Sequence, residues 1–370
     1  MEKPGGGVRK IGFETDMTDF AIVGGGGFLG QRMAQIIIQS EPGATCHCLD
    51  VAFPSDPVHE HRITRVKVDL ADPACTPTLV RSFDGVRCVF LVASFGMSGE
   101  ESLQTRLIRR VNVDGAARVL KACLEAGVPS LVYCSTYNTV FHGQIIEGLS
   151  EDDLPYPDDA SFVDEYSLTK SIAERMVLDA NSEKLSTLSL RPAAIWGSQE
   201  SRHMKRVNDL IDRKMFRFRF GDRPLVDFVH VNNLVLAHIL AARKLEARDP
   251  NVAGRAFFVS DGKPHDNFAW FCRLKDAKGQ GGEDTLFQVP YTVVYLLAIF
   301  FEIWYRLTGV WRPWMLTRAE VMKAGVRHHV RIDRARQHLG YEPTAYDFGE
   351  VIERWTSESH MDAQGEKKER

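Results

Sequence analysis

The chain has 370 residues, 44% hydrophobic and 26% charged, which suits one large α/β unit with a smaller lobe and excludes a disordered or many-spanning membrane protein. A formal net charge of -3 sets up no overall field for nucleic acid or an anionic bilayer, so no nucleic-acid partner is expected and any such contact needs a local patch. Seven cysteines, odd in number and mostly set in apolar runs such as Cys88-Val89-Phe90-Leu91, read as reduced core thiols facing the cytosol.

Residues 1–18 carry Gly5-Gly6-Gly7 and mixed charges without the apolar stretch of a secretory signal, and read as a flexible lead-in. A strand at Phe20-Ala21-Ile22-Val23 then runs into Gly24-Gly25-Gly26-Gly27-Phe28-Leu29-Gly30, followed by Met33, Ile36 and Ile37 at helical spacing. Further strands are predicted at 45–49, 64–68, 86–92, 130–133 and 186–190, with helices between them, the clearest at 111–127 and 163–180. Cys46-His47-Cys48 lacks a second Cys/His pair at zinc spacing and fits alternation on a strand, so no metal is expected. His59/His61 and His328/His329 read as solvated or locally bonded.

Six strands alternating with helices predict an α/β fold with a doubly wound parallel (Rossmann) sheet, because parallel neighbours need crossover connections. The cofactor domain is assigned to 19–200, with 226–248 returning to it, and a smaller C-terminal substrate lobe to 201–225 and 249–356. Within that lobe, Arg217-Phe218-Arg219-Phe220 reads as an edge strand with aromatics on one side and arginines on the other. Residues 357–370 are polar and read as a disordered tail.

Glycines at 24, 27 and 30 permit a sharp turn, close approach of backbone N–H groups to a pyrophosphate, and tight helix–strand packing. Asp50 ends the second strand 20 residues after Gly30, where a carboxylate accepts hydrogen bonds from ribose hydroxyls and repels a 2′-phosphate. NAD is therefore the expected cofactor, although Arg62 and Arg65 leave NADP open. Tyr166 and Lys170 stand four apart on one helix face. A neighbouring ammonium is expected to lower the phenol's pKa and fit it for proton exchange while nicotinamide exchanges a hydride. Ser135 and Thr136, at the end of the fifth strand, supply a hydroxyl to hold the reacting oxygen.

Together these residues resemble the extended short-chain dehydrogenases/reductases, and specifically the 3β-hydroxysteroid dehydrogenase/isomerase family. The resemblance runs from about Phe20 to Trp355. The stretches Ala93-Ser94-Phe95-Gly96-Met97-Ser98-Gly99, Tyr166-Ser167-Leu168-Thr169-Lys170, Arg191-Pro192-Ala193-Ala194-Ile195-Trp196-Gly197 and Asp227-Phe228-Val229-His230 look like subfamily 42E. The resemblance implies that Gly24, Gly27, Phe28, Leu29, Gly30, Asp50, Asp69, Leu70, Ala93, Ser94, Tyr166, Lys170, Pro192, Ala194 and Ile195 hold the cofactor. It also makes Tyr166 the acid/base and gives Asn112 a part in ordering water and lysine. The motif puts Thr136 in the catalytic hydroxyl slot, with Ser135 the other candidate. Family members often carry glycine and tyrosine where Ala194 and Trp196 stand, which points to a differently shaped wall beside the nicotinamide.

The implied reaction is oxidation of a 3β-hydroxysteroid or sterol alcohol to a ketone with NAD, and the implied substrate is small and apolar. Alternatives are a decarboxylating sterol-4-carboxylate 3-dehydrogenase, a nucleotide-sugar enzyme and a non-enzymatic NAD-binding regulator. A homodimer is typical of the family.

The most apolar segment, at 289–301 within the larger stretch 289–316, offers 11 charge-free residues between Pro290 and Glu302, short of the ~20 a helical span needs. Trp304, Tyr305, Arg306, Trp311, Arg312 and Trp314 follow, a mixture suited to an interface of hydrocarbon and headgroups. Interfacial membrane attachment is expected. Lys367-Lys368-Glu369-Arg370 looks like a dilysine retrieval signal, which with the family resemblance points to the endoplasmic reticulum membrane with the catalytic domain in the cytosol. A plain charged tail is the alternative.

Overall fold

The computed structural model describes residues 19–54, 61–309 and 316–357. Seven strands form one sheet: β1 (Asp19–Val23), β2 (Thr45–Asp50), β3 (Ile63–Lys67), β4 (Cys88–Leu91), β5 (Ser130–Cys134), β6 (Ser186–Pro192) and β7 (Ala256–Val259). Their order across the sheet is β7-β6-β5-β4-β1-β2-β3, and every neighbouring pair is parallel. The sequence order reverses between β1 and β4, which opens a crevice at their carboxyl ends. β7 comes from the stretch assigned to the small lobe, so the large sheet takes one strand more than the six expected. Its Ala256-Phe257-Phe258-Val259 is too short to show a period.

The helices are, in chain order, α1 (Phe28–Ser40), α2 (Thr76–Ser82), α3 (Thr105–Arg109), α4 (Gly115–Ala126), α5 (Glu165–Asp179), α6 (His203–Asp212), α7 (Val231–Glu246), α8 (Asn267–Ala277), α9 (Tyr291–Thr308) and α10 (Arg318–Gly325). Alternation along the strands sends Phe20, Ile22, Phe90 and Val132 to one face, where they meet Met33 and Ile37 of α1 and Leu234 and Ala241 of α7. Ala21, Val23, Val89 and Leu131 go to the other face, under Leu79 of α2, Val119 and Cys123 of α4 and Val177 of α5. Both faces are covered, which is the doubly wound arrangement. Each large side chain buried there contributes about 1.5–3 kcal/mol. All seven cysteines are free and buried.

One buried ion pair fixes α5 to the sheet. Glu174 of α5 accepts from Arg191 Nε and Nη2 of β6 at 2.9 and 2.8 Å, from Ser189 Oγ at 2.6 Å and from Tyr156 Oη at 2.7 Å. Four donors on one carboxylate compensate its desolvation and hold its pKa below the usual range.

The smaller lobe contains a four-stranded sheet ordered His265–Asp266, Leu225–Val226, His328–Val330, Ile146–Leu149. Its core packs Trp196, Phe228, Trp270, Phe271, Phe348 and Trp355. Phe218–Phe220 pairs in parallel with Phe287–Val289, and Arg219 between the two phenylalanines engages Asp266 and Glu283. Arg219 is thus an ion-paired part of the lobe.

His328 departs from the expected solvated or local role. It is fully buried, with Nδ1 facing Val326 O at 2.7 Å and Nε2 facing Tyr137 Oη, 191 residues away, at 2.7 Å. Burial lowers its pKa to about 4, so the ring is neutral and its Nε2 accepts a hydrogen bond from the Tyr137 hydroxyl. His59, Trp311, Arg312, Trp314 and the Lys367–Arg370 signal lie outside the described residues.

α9 also runs longer than the charge-free segment suggested: 18 residues, past Glu302, to a left-handed Gly309. At 1.5 Å per residue that is about 27 Å, so by length and composition it is apolar enough to cross a membrane. Here it lies along the lobe. Val294 and Ala298 pack on Val321 of α10, and Glu302 binds Arg318 through the backbone N–H and Nε, both at 2.7 Å.

Candidate active site

The carboxyl ends of β1, β2, β4, β5 and β6 open into a cleft of about 1550 Å³ that continues into the smaller lobe. Its floor is the glycine turn. Gly24 has φ +100°, and a Cβ there would come within 2.6 Å of Ala93 N. A Cβ on Gly26 would meet Ala52 O at 2.0 Å, and one on Gly30 would meet Gly24 O at 2.2 Å. Gly27 differs, since its nearest neighbour would be 3.4 Å away. Gly27 is the N-cap of α1 without a side-chain cap, and Gly26, Gly27, Phe28 and Leu29 line the cleft. The first-turn N–H groups, which have no intrahelical acceptors, therefore form a site for an anion.

Asp50 lines the same cleft beside this turn. Its Oδ2 accepts from Gly26 N at 2.9 Å and its Oδ1 from Val51 N at 2.7 Å, which leaves lone pairs on each oxygen. Asp69, Leu70, Ala93, Ser94, Pro192, Ala194 and Ile195 line it as well. Arg62 and Arg65 do not; Arg62 donates to Glu41 O and Arg65 lies over Phe53. Trp196 is also turned away: its indole N–H donates to Asp261 Oδ2 at 2.7 Å and its ring packs on His230 and Trp270. The wall expected from Trp196 is thus made by Ala194 and Ile195, while the indole is buried in the lobe core.

Ser135, Thr136 and Tyr166 reach the cleft from different elements. Thr136 Oγ1 accepts from Asn138 N at 3.3 Å, and its O–H stays available to donate. Ser135 Oγ is buried and has no partner among the described residues. Tyr166 is 5% exposed, and burial holds its phenol well above the usual value, opposed by a hydrogen bond from Ser94 and by the charge of Arg202.

The expected lysine effect on that phenol is not the dominant one. Lys170 Nζ donates to Cys134 O at 2.6 Å and lies 4.2 Å from the Tyr133 ring centre. It stands beneath the cleft wall, and burial draws its own pKa down to about 8. Asn112 is likewise behind the wall, in a π-turn at Arg110–Asp114. Its Oδ1 accepts from Phe95 N at 2.9 Å, and its Nδ2 donates to Phe95 O and Thr169 Oγ1, both at 3.0 Å. Asn112 thus ties the loop after β4 to α5 through Thr169, with no direct bond to Lys170; a π-turn at a functional position is a common device.

Several residues in or beside the cleft escape motif reading. Asp164 caps α5 by accepting from Ser167 N at 2.8 Å and binds Lys323 Nζ of α10 at 2.5 Å. Its cap role was available as an acid directly before a helical run; the Lys323 partner was not. Glu200 caps α6 through the N–H groups of Arg202, His203 and Met204. The far wall is apolar, with Phe216, Phe220, Phe228, Phe268, Phe271 and Leu316. No group of three or more His, Cys, Asp or Glu residues able to hold a metal occurs among the described residues.

A parallel sheet with a glycine turn at its switch point and a hydroxyl, a tyrosine and a lysine around one cleft defines the short-chain dehydrogenase/reductase architecture. The chain belongs to the 3-beta hydroxysteroid dehydrogenase/isomerase family, whose sequence profile it matches over residues 21–282. It is 41% identical to the short-chain dehydrogenase/reductase family 42E member 1 of Mus musculus, covering 92% of this chain and 87% of that one. It is 31% identical to the mouse decarboxylating sterol-4-alpha-carboxylate 3-dehydrogenase, covering 92% and 90%. Among solved structures, the dTDP-glucose 4,6-dehydratase DesIV of Streptomyces venezuelae, with NAD bound, superposes with a TM-score of 0.69 at 17% identity, covering 92% of this chain and 97% of that one. The UDP-glucuronic acid 4-epimerase of Bacillus cereus, with UDP-glucuronic acid and NAD, does so with 0.67 at 14% identity, covering 92% and 99%. These structures share the fold.

Proposed function

We propose that this protein is an NAD-dependent dehydrogenase that oxidises a 3β-hydroxysteroid or related sterol alcohol to the ketone. The observation that carries the reading is a single cleft joining a glycine-lined anion site, the Tyr166 phenol and a wall of phenylalanines.

The cofactor fits the chain's own geometry. Side chains are excluded at Gly24, Gly26 and Gly30, so backbone N–H groups lie open to a pyrophosphate, and the free lone pairs of Asp50 suit ribose hydroxyls. Bound NAD would take up the carbinol hydride and bring a positive nicotinamide ring that offsets the burial acting on Tyr166. Thr136 or Ser135 donates a hydrogen bond to the alcohol oxygen and orients it, and Tyr166 Oη, as the phenolate, receives the alcohol proton and becomes the phenol. Lys170 holds a positive charge behind the wall, against Cys134 O, which favours the phenolate that must be present before the proton moves. The phenylalanine wall excludes water and fits fused rings better than a nucleotide sugar.

The outward side of α9 supports attachment to a membrane surface, with the endoplasmic reticulum the site the family resemblance favours. Leu296, Phe300 and Leu307 are 58%, 54% and 80% exposed, and Trp304 follows on the same side. The test of the reaction is NADH formation with 3β-hydroxysteroids against UDP-sugars. Oxidation of the sugars in preference to the steroids overturns the substrate class.

A further inference from the structure

The exposed apolar surface of the smaller lobe does not end at α9. Phe218 and Phe287 stand opposite each other on their paired strands, with ring centres 6.2 Å apart, and are 55% and 64% exposed. Met215, just ahead of the first strand, is exposed as well. Alternation puts Phe218 on the same face as Phe220, and Phe287 on the same face as Val289. Phe220 and Val289 are themselves paired and pack against the Val294, Ala298 and Val321 cluster of α9 and α10. The exposed phenylalanines therefore continue that cluster outward by one two-residue step, about 7 Å. Pro290 follows Val289 and caps α9, whose Val293, Leu296, Leu297 and Phe300 are exposed in turn.

A local patch of charge surrounds this pair, in a chain whose net charge is -3: from 213 to 223 there are five cations and one acid, Asp222. Arg219, on the opposite face of its strand, is engaged by Asp266 and Glu283, whereas Arg213, Lys214, Arg217 and Arg223 are exposed. Asp222 and Asp284 are the acids left in the two segments, so the rim of the apolar pair is cationic. Among the described residues the two strands have no third partner in their sheet, and each keeps an open edge of backbone N–H and C=O groups. Such edges do not occur in hydrocarbon, but water and headgroups satisfy them at an interface. Apolar tips in a basic rim beside open strand edges suit the depth at which acyl chains meet phosphates.

We propose that this strand pair is a second membrane contact, at which Met215, Phe218 and Phe287 enter the interface and Arg213, Lys214 and Arg217 bind anionic phospholipid headgroups. It builds on the attachment read from α9 and adds a preference for a negatively charged bilayer. α9 does not supply that preference, because its two charges, Glu302 and Arg306, cancel.

The experiment measures flotation with vesicles of phosphatidylcholine alone and of phosphatidylcholine with phosphatidylserine. It compares the parent with a threonine variant, Phe218→Thr with Phe287→Thr, and a glutamine variant, Arg213→Gln with Lys214→Gln and Arg217→Gln. None of these residues lines the cleft, so NAD affinity and melting temperature report that each variant is folded. Three cations at a charged surface together contribute up to about 10²-fold in binding. The parent is expected to prefer the anionic vesicles by about 10–10²-fold and to lose that preference at high salt. The glutamine variant should bind both vesicles as the parent binds the neutral ones. The threonine variant should bind both about 10-fold more weakly or worse. A parent that binds both vesicles equally, or either variant floating like the parent on the anionic ones, overturns the proposal. So does a parent dimer that the threonine variant dissociates in solution, since the face would then belong to a second copy of the chain. The two attachments fail separately. If Leu296→Glu with Phe300→Glu abolishes flotation on neutral vesicles while both strand variants float like the parent, α9 attachment stands and this contact falls. If the α9 variant floats like the parent and the threonine variant does not, the α9 reading falls and the strand pair carries the attachment.

Discussion

Lys323 of the smaller lobe reaches Asp164 at 2.5 Å, and Asp164 is the residue that caps the helix carrying Tyr166. The ammonium also lies 5.7 Å from the Tyr166 ring centre. One carboxylate thus serves the backbone of α5 and the ion pair that ties α10 to it, and Lys323 keeps it below the usual carboxylate range. The same carboxylate thus fixes the docking of α10 and the start of the helix that carries the phenol.

Replacing Asp164 separates these roles. Asp164→Asn keeps the cap acceptor and removes the ion pair, whereas Asp164→Ala removes both. Loss of an N-cap costs about 1 kcal/mol, and an uncompensated partner in a half-buried pair adds to it. Asp164→Ala is expected to melt lower than Asp164→Asn, and both to turn over more slowly than the parent with little change in NAD affinity. Equal turnover in all three would detach the ion pair from the placement of Tyr166.

Tyr166→Phe removes one hydroxyl from a side chain that is 5% exposed and leaves its ring packing intact. If the phenol carries the proton, turnover drops by about 10²–10⁴-fold while the NAD dissociation constant stays within about two-fold. Titration calorimetry and NADH absorbance read the two quantities. Turnover at the parental rate removes Tyr166 from the mechanism.

The glycine turn makes a sharper prediction than its motif does. Gly26→Ala puts a methyl 2.0 Å from Ala52 O, inside any tolerable contact, whereas Gly27→Ala finds its nearest atom at 3.4 Å. Gly26→Ala is expected to lose soluble, folded protein. Gly27→Ala should fold and melt within a few degrees of the parent, with NAD affinity reduced about ten-fold or more because the methyl crowds the open N–H groups. Full NAD affinity in Gly27→Ala would place the pyrophosphate elsewhere.

What could be read from the sequence was local. Gly24, Gly30, Asp50 and the Tyr166/Lys170 pair lie at fixed offsets on one strand–turn–helix or one helix, and the parallel sheet followed from alternation of strands and helices. The pairing of Lys323 with Asp164 spans 159 residues, and that of His328 with Tyr137 spans 191, so no spacing rule reaches either. Helical spacing put Tyr166 and Lys170 on one face without saying where the ammonium points. Its acceptor is the Cys134 carbonyl.

Acid sensitivity should arise in part from His238. This α7 residue is fully buried, faces Leu234 O through Nδ1 at 2.8 Å, has no Nε2 partner among the described residues, and has its pKa lowered to about 4 by burial. Between that value and the unfolded value near 6.5, the unfolded chain binds the extra proton. Stability is therefore lost as pH falls through this window, by about 2 kcal/mol at pH 5 relative to the neutral ring. His238→Leu is expected to narrow the gap in melting temperature between pH 7 and pH 5. An unchanged gap would assign the acid sensitivity to other groups.

Membrane attachment is tested on the outward side of α9, where Leu296 and Phe300 are exposed and Val294 and Ala298 face α10. Leu296→Glu with Phe300→Glu puts two charges on that side without touching the packed one, so the fold and NAD affinity should be retained. Burying two such side chains in lipid is worth about 3–6 kcal/mol, hence the doubly substituted protein should float with liposomes about 10²-fold less than the parent. Val294→Glu is the contrasting change: it strikes the contact with Val321 and should lower the melting temperature first. Because Phe220, Leu316 and Val321 line the cleft and also pack against α9, attachment by this helix would set the apolar end of the cleft one layer of side chains from the lipid. Undiminished flotation of the doubly substituted protein would mean that this side of α9 does not meet the bilayer, and an apolar substrate would then have to arrive through water.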